Sequence, residues 1–228
     1  MRNSRRYITS RESDFGQPLS RKQAIRLVET SYLAAASALI WIALYYLQIG
    51  GALFRLALPL PLALLQVRRG PSSGVEGTCL LVFLLIALMG PIRGPLVLFP
   101  YGFLSLWLGW SWFRGGSWWL SWGVGSLIGT TGFLIRVFLL SLLVGENLWI
   151  IITSAGAALI ERAIELFGLQ FVPEISHIQL VAFSLVVVQE MIYVLTLHAL
   201  AFWIFPRLKA PISDPPHFLN SLVVLDPH

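Results

Sequence analysis

The chain has 228 residues, of which 57% are hydrophobic and 12% are charged, and its mean hydropathy is +0.76. A soluble domain carries about twice that share of charged residues, so the composition excludes a soluble globular protein, a disordered chain and a nucleic-acid binder. It predicts an all-α polytopic integral membrane protein of one compact domain. The single cysteine, Cys79, excludes an intramolecular disulfide, a CxxC redox pair and a cysteine zinc site.

The first 26 residues account for the whole net charge of +5, because they hold seven Lys or Arg residues against Glu12 and Asp14. We interpret residues 1–26 as a basic cytoplasmic segment that sets the topology. Binding of this segment to anionic lipid is the alternative. The membrane domain is then expected over residues 27–209, and a proline-containing cytoplasmic tail over residues 210–228.

Six stretches are apolar enough to cross a bilayer as helices. The second and third are short, and Pro59 and Pro61 interrupt the second, so both are expected to be tilted, kinked or partly re-entrant. With both termini in the cytoplasm, 12 of the 16 Lys and Arg residues lie on that side. The predicted spans are residues 27–47, 52–66, 77–89, 96–112, 118–144 and 178–205.

Residues 147–167 carry apolar side chains at helical spacing, with Glu161, Arg162 and Glu165 near the end of the segment. This pattern predicts an amphipathic helix that lies on, or dips into, the outer membrane interface. The alternative is a seventh span, which would place the two termini on opposite sides of the membrane.

Two charged residues, Arg136 and Glu190, stand deep in clear predicted spans, where a charge costs about 2.5–3.5 kcal/mol on insertion scales. Counted from the outer ends of the spans, their depths differ by about 6 Å, which is within reach of an ion pair. Gln189 and His198 add polar groups to the helix that carries Glu190. These four residues are predicted either to pair helices or to form a polar ligand site or proton relay.

Small residues spaced by four occur in two predicted spans: Ala34 and Ala38 in the first, and Gly125 and Gly129, followed by Gly132, in the fifth. Such residues let helix backbones approach closely. Packing within the chain is one interpretation of both motifs, and docking of a partner membrane protein is the other.

Tryptophans and prolines mark two further features. Six tryptophans around Arg114 are predicted to form an aromatic girdle at the membrane interface, with a ligand-stacking cage as the alternative. Pro59, Pro61 and the loop at residues 90–95 indicate broken backbone, which is typical both of ligand sites and of the ends of short spans. The six tryptophans are Trp107, Trp110, Trp112, Trp118, Trp119 and Trp122.

Motifs of catalysis and of cofactor binding are absent from the sequence. It contains no P-loop, no GxSxG and no HExxH, and its four histidines are scattered. We therefore predict no enzyme, no cofactor and no metal site.

Five short segments of the sequence stand out as a set: residues 58–66 (LPLPLALLQ), 68–70 (RRG), 88–91 (LMGP), 143–149 (LVGENLW) and 205–211 (FPRLKAP). In these segments the chain resembles an uncharacterised bacterial membrane family, domain of unknown function 2232, in its cyanobacterial form. The similarity runs over about residues 24–226 and implies an integral protein of a bacterial inner membrane or a thylakoid membrane.

More distantly, the chain resembles the S components of energy-coupling factor transporters, which are small six-helix substrate-binding proteins. Their first helix carries an Ala-x-x-x-Ala motif that faces a transmembrane coupling subunit, and Ala34 and Ala38 match it in place. The resemblance implies capture of a small solute from the outer side, and a partner complex driven by two ATPases. A non-transporting membrane scaffold or assembly factor is the rival hypothesis.

Overall fold

The computed structural model describes residues 20–47, 51–167 and 174–213, and these residues form eight α-helices and no strand. Most of the predicted basic segment and most of the predicted tail lie outside the described residues. Two short 3₁₀ helices, Gly94–Leu98 and Pro206–Leu208, complete the described fold. The α-helices are α1 (Arg21–Tyr46), α2 (Gly51–Ala57), α3 (Leu60–Arg69), α4 (Pro71–Met89), α5 (Tyr101–Phe113), α6 (Trp118–Val144), α7 (Leu148–Phe167) and α8 (Ile175–Ile204).

Five stretches in the described part of the chain are long and apolar enough to cross a membrane. They are α1, α4, the stretch Gly94–Phe113, α6 and α8. The predicted all-α membrane architecture is therefore confirmed. Helix α6 has the predicted bounds, whereas α4 begins six residues and α8 three residues before their predicted starts.

The predicted second span, residues 52–66, is not one continuous helix. The chain turns at the buried residues Leu58 and Pro59, which separate the seven residues of α2 from the ten residues of α3. Pro59 has no backbone N–H to donate into a continuous helix, whereas Pro61 is tolerated in the first turn of α3. Neither helix alone is long enough to cross a bilayer.

Taken together, α2 and α3 run antiparallel to α1. Gly51 at the start of α2 lies beside Leu44 near the end of α1. At the other end, the Glu29 carboxylate accepts a hydrogen bond from Arg69 and forms an ion pair with Arg68 at 2.8 Å. The broken pair α2–α3 therefore covers nearly the same depth as α1.

Helix α1 begins six residues before the predicted start of the membrane domain. Ser20 caps it, and Gln23 completes a capping box by accepting a hydrogen bond from the Ser20 backbone N–H. Arg26 donates to Ser72 at 3.2 Å and forms an ion pair with Glu76 at 2.5 Å. The last part of the basic segment is thus helical and is tied to the start of α4.

The alanine motif of α1 lies inside the chain. Ala34 is 0% exposed and Ala38 is 3% exposed, and Ala38 shares a core cluster with Trp41, Leu62 and Leu85. The small side chains let α1 pack closely against α3 and α4. This burial corrects the expectation of a docking face for a coupling subunit at Ala34 and Ala38.

The glycine motif of α6 also lies at contacts within the chain. A Cβ atom added at Gly125 would stand 3.0 Å from Val194 on α8, and one at Gly132 would stand 2.7 Å from the Pro100 Cα atom. Gly129 faces Glu190 on α8. The three glycines therefore set how closely α6 approaches α8 and the start of α5.

Helix α7 is not among the helices apolar enough to span a membrane in the described part of the chain. Its first residue, Leu148, donates its N–H to the Ser141 hydroxyl at 3.0 Å, and its middle residue, Gly156, lies beside Ala182. Since Gly129 faces Glu190 in the antiparallel pair α6–α8, Ala182 is level with the part of α6 just before Ser141. The first half of α7 thus contacts the end of α6 at Leu148 and the first part of α8 at Gly156.

Candidate functional site

A cavity of about 210 Å³ lies between α2, the start of α5, α6 and α8. Three of its lining residues carry charged side chains: Arg55 from α2, Arg136 from α6 and Glu190 from α8. Arg55 is exposed and marks the mouth of the cavity, whereas Glu190 is buried in its wall. The other lining residues are Pro100, Tyr101, Phe133, Val137 and Leu140.

Aromatic rings hold Arg136 at one side of this cavity. Its guanidinium carbon lies 5.0 Å from the centre of the Trp41 ring and 5.7 Å from the centre of the Tyr101 ring. Cation–π contacts of this kind stabilise a guanidinium by about 0.5–2 kcal/mol, depending on its desolvation. The Trp41 and Tyr101 rings therefore stabilise the positive charge of Arg136, which has no carboxylate partner among the described ion pairs.

Glu190, on α8, lines the same cavity. It is 5% exposed, and its Oε2 atom finds no hydrogen-bond partner among the described residues. Gly129 makes room for this group, because a Cβ atom there would stand 2.5 Å from Oε2. An unpartnered acidic group inside a membrane protein is costly, and such groups typically mark ligand or ion sites.

Arg136 and Glu190 share the cavity, but the described ion pairs do not include one between them. Glu190 faces Gly129, and Arg136 lies seven residues further along α6, about 10 Å away along the helix axis. This separation exceeds the predicted 6 Å, because α8 begins earlier than expected and packs in the register of the glycine motif. The structure therefore corrects the expectation of a direct ion pair between Arg136 and Glu190. The described ion pairs are Arg26–Glu76, Glu29–Arg68 and Glu29–Arg69.

Polar side chains on the neighbouring turns of α8 and α6 are engaged elsewhere. The Tyr193 hydroxyl donates to the Arg55 carbonyl oxygen at 2.8 Å, and Trp122 Nε1 donates to the Met191 carbonyl oxygen at 2.9 Å. Gln189, predicted to join the site, is exposed and does not line the cavity. These donors therefore leave the Glu190 Oε2 atom, which is buried against Gly129, without a hydrogen-bond partner among the described residues.

His198, also predicted to join the site, lies two turns away in a separate cluster. Its ring is 0% exposed, with Nδ1 2.8 Å from the Val194 carbonyl oxygen and Nε2 3.0 Å from the Ser121 hydroxyl. Since a carbonyl only accepts, Nδ1 donates to Val194, and Nε2 of the neutral ring accepts from Ser121. Its role here is packing, because the ring stands 5.3 Å from that of Trp112 and 5.2 Å from that of Trp118.

The same cluster changes the interpretation of the tryptophans. Trp112 and Trp118 are 4% and 6% exposed, so they belong to the core, whereas Trp119 is exposed as an interfacial residue would be. Trp107 is half-buried and donates its indole N–H to the Ser121 carbonyl oxygen at 3.1 Å. The predicted aromatic girdle thus describes only part of the set.

Two cavity residues, Arg55 and Tyr101, were missed in the sequence. In the sequence, Arg55 was one of the few basic residues assigned to the outer side, and Tyr101 was one of many aromatic residues. Neither was assigned to a site. The available signal was the broken backbone beside each residue, at Pro59 and at Pro100. These breaks bring α2 and the start of α5 to the wall of the cavity.

The sequence profile of the family described as "Predicted membrane protein (DUF2232)" matches residues 34–221. The chain therefore belongs to this family, which agrees with the resemblance found in its sequence. No curated protein and no solved structure matches the chain.

Proposed function

We propose that this member of the DUF2232 family is an integral membrane protein that binds a small polar solute in the cavity lined by Arg55, Arg136 and Glu190. The observation that carries the proposal is that three charged side chains, one of them the buried Glu190, line one cavity inside an apolar bundle. Charged side chains that line a cavity within membrane-spanning helices typically mark a ligand site. The proposed role is binding and not catalysis.

The resemblance to S components supports the same role, since those proteins capture small solutes from the outer side. Ala34 and Ala38 are enclosed by the chain's own helices, so they are not free to contact a coupling subunit. In this proposal a coupling subunit with ATPases, if the protein works with one, would use another face of the bundle. Solute binding does not depend on such a partner.

We further propose six crossings with both termini in the cytoplasm. Arg26, Arg68 and Arg69 meet at one end of the bundle, here called the basic end, where α1 starts and α3 finishes. Basic residues are retained on the cytoplasmic side, so the cavity falls in the outer half of the membrane.

Since α2 and α3 together return along α1, reporter fusions at residues 70 and 228 are expected to report a cytoplasmic location. An external location of either fusion would contradict this topology.

Thiol labelling tests whether the cavity opens to the outer side. The variant Cys79→Ser removes the chain's own thiol, and Leu140→Cys then places one in the cavity wall. A membrane-impermeant methanethiosulfonate added to intact cells is expected to label this position, because a thiol reacts only where water reaches it. The matched control is Ile135→Cys, on the same helix but at an exposed apolar position that lies outside the cavity lining and is expected to face lipid.

Labelling of Leu140→Cys above the Ile135→Cys control would support an open solute site. Equal, slow labelling of both would contradict it and would favour the rival, a scaffold with a closed core. Circular dichroism and thermal melting of both variants exclude misfolding as the cause of either result.

A further inference from the structure

We infer that the solute is an amino dicarboxylate of about the size of glutamate, whose ammonium group binds Glu190 and whose two carboxylates bind Arg55 and Arg136. This inference rests on the proposed function and names the ligand class of the same cavity. It is carried by the number and sign of the charged groups that line the cavity.

The volume of the cavity limits the solute to a small molecule. A cavity of about 210 Å³ has room for a few water molecules, and therefore for a small polar molecule. Most drug-sized ligands and large cofactors need about 300–1,000 Å³ and are too large.

The charges of the cavity complement this class of solute. Its wall presents two guanidinium groups and one carboxylate, a net charge of +1. A ligand with two carboxylates and one ammonium group carries a net charge of −1 and pairs with each protein group once. Arginine suits the carboxylates because its planar fork of N–H donors matches their two oxygens.

Glu190 is the one carboxylate among the described residues that line the cavity, so it is the acceptor that the cavity offers to an ammonium group. The described ion pairs do not include Glu190, and the nearby Tyr193 and Trp122 side chains donate to backbone carbonyls. The charge of Arg136 is stabilised by the Trp41 and Tyr101 rings. An ammonium group of the ligand therefore supplies Glu190 with a donor from the cavity.

Arg136 and Glu190 stand on facing helices, and both line the cavity. One small molecule in the cavity can therefore reach both side chains. The exposed Arg55 at the mouth receives the second carboxylate.

The test compares three probes that differ only in their charged groups: glutamate, glutarate, which lacks the ammonium group, and γ-aminobutyrate, which lacks one carboxylate. Binding of each radiolabelled probe to the full chain in nanodiscs is measured by equilibrium dialysis. We expect glutamate to bind about ten- to a hundredfold more tightly than either analogue, since each analogue loses one charged hydrogen-bonded contact.

Two substitutions assign the contacts. Glu190→Gln is expected to weaken binding of glutamate and γ-aminobutyrate about ten- to a hundredfold, whereas glutarate should bind as tightly as before or more tightly, since the variant removes a negative charge from the cavity. Arg136→Gln is expected to weaken binding of all three.

The first matched control is Gln189→Ala, at an exposed position next to Glu190 on α8. The second is Arg93→Gln, because the Arg93 guanidinium also stacks on an aromatic ring, that of Tyr45, but lies outside the cavity. Thermal melting identifies any variant that has lost its fold, and Arg136→Lys replaces Arg136→Gln if that variant unfolds.

The outcomes separate this inference from the function on which it rests. Glutarate binding as tightly as glutamate would overturn the ammonium contact at Glu190, and equal binding of γ-aminobutyrate would overturn the second carboxylate. If Leu140→Cys is labelled but none of the probes binds, the ligand class is wrong while the open site stands. If labelling and binding both fail, the proposed function itself is wrong.

Discussion

Replacing His198 with alanine is expected to lower the free energy of unfolding by about 3–5 kcal/mol, the range for truncation of a buried aromatic side chain. The ring is 0% exposed and packs between Trp112 and Trp118, so its removal leaves a cavity between two large side chains. It also strands the Ser121 hydroxyl, which donates to Nε2. Thermal and denaturant unfolding in one detergent measure the change.

The same variant separates packing from solute binding. Because His198 does not line the cavity, labelling at Leu140→Cys is expected to persist in His198→Ala at temperatures where the protein remains folded. Gln189→Ala is the control, since its exposed side chain is expected to leave stability nearly unchanged. A stable His198→Ala protein that has lost cavity labelling would contradict this assignment and return His198 to the site.

The second large effect is expected at Gly132, where alanine should cost about 1–3 kcal/mol of unfolding free energy, as overpacking does. The added Cβ would stand 2.7 Å from the Cα atom of Pro100, and backbone at the start of α5 cannot rotate aside as a side chain can. The loss should be visible as a lower midpoint of thermal unfolding.

The control for Gly132→Ala is Gly123→Ala on the same helix. No described atom lies within 4 Å of a Cβ atom at Gly123 beyond its own helix backbone and chain neighbours, so alanine there should leave stability unchanged or raise it, since it is the better helix former. Equal melting of Gly132→Ala and wild type would show that α5 and α6 are not in close contact at Pro100.

Helices whose apolar runs are long and unbroken could be predicted from the sequence alone. The bounds of α6 are the predicted ones because a turn at residues 114–117 and a glycine at position 145 enclose 27 residues with one charge. The structure of the second predicted span was harder to predict, because the pair of prolines indicated a break in the helix without specifying its geometry. Tertiary contacts determine that α2 and α3 both pack along α1.

Within the candidate site, sequence reasoning found the two residues whose charge is expensive in hydrocarbon, Arg136 and Glu190. It misjudged their distance because the register of α6 against α8 depends on where Gly129 meets Glu190, a contact that no pattern in either helix reveals. It also grouped His198 with Glu190, since helical spacing places residues on a face but does not identify what each one packs against.

The most direct test of the central claim, that this cavity is an open, positively charged solute site, is the charge dependence of labelling at Leu140→Cys. The measured quantity is the ratio of the rates for anionic and cationic methanethiosulfonates of similar size, in the Cys79→Ser background. The two guanidinium groups outnumber the single carboxylate, so we expect the anionic reagent to react faster, and Arg136→Gln to reduce the ratio. A ratio that equals that of the Ile135→Cys control, and that Arg136→Gln leaves unchanged, would contradict the claim.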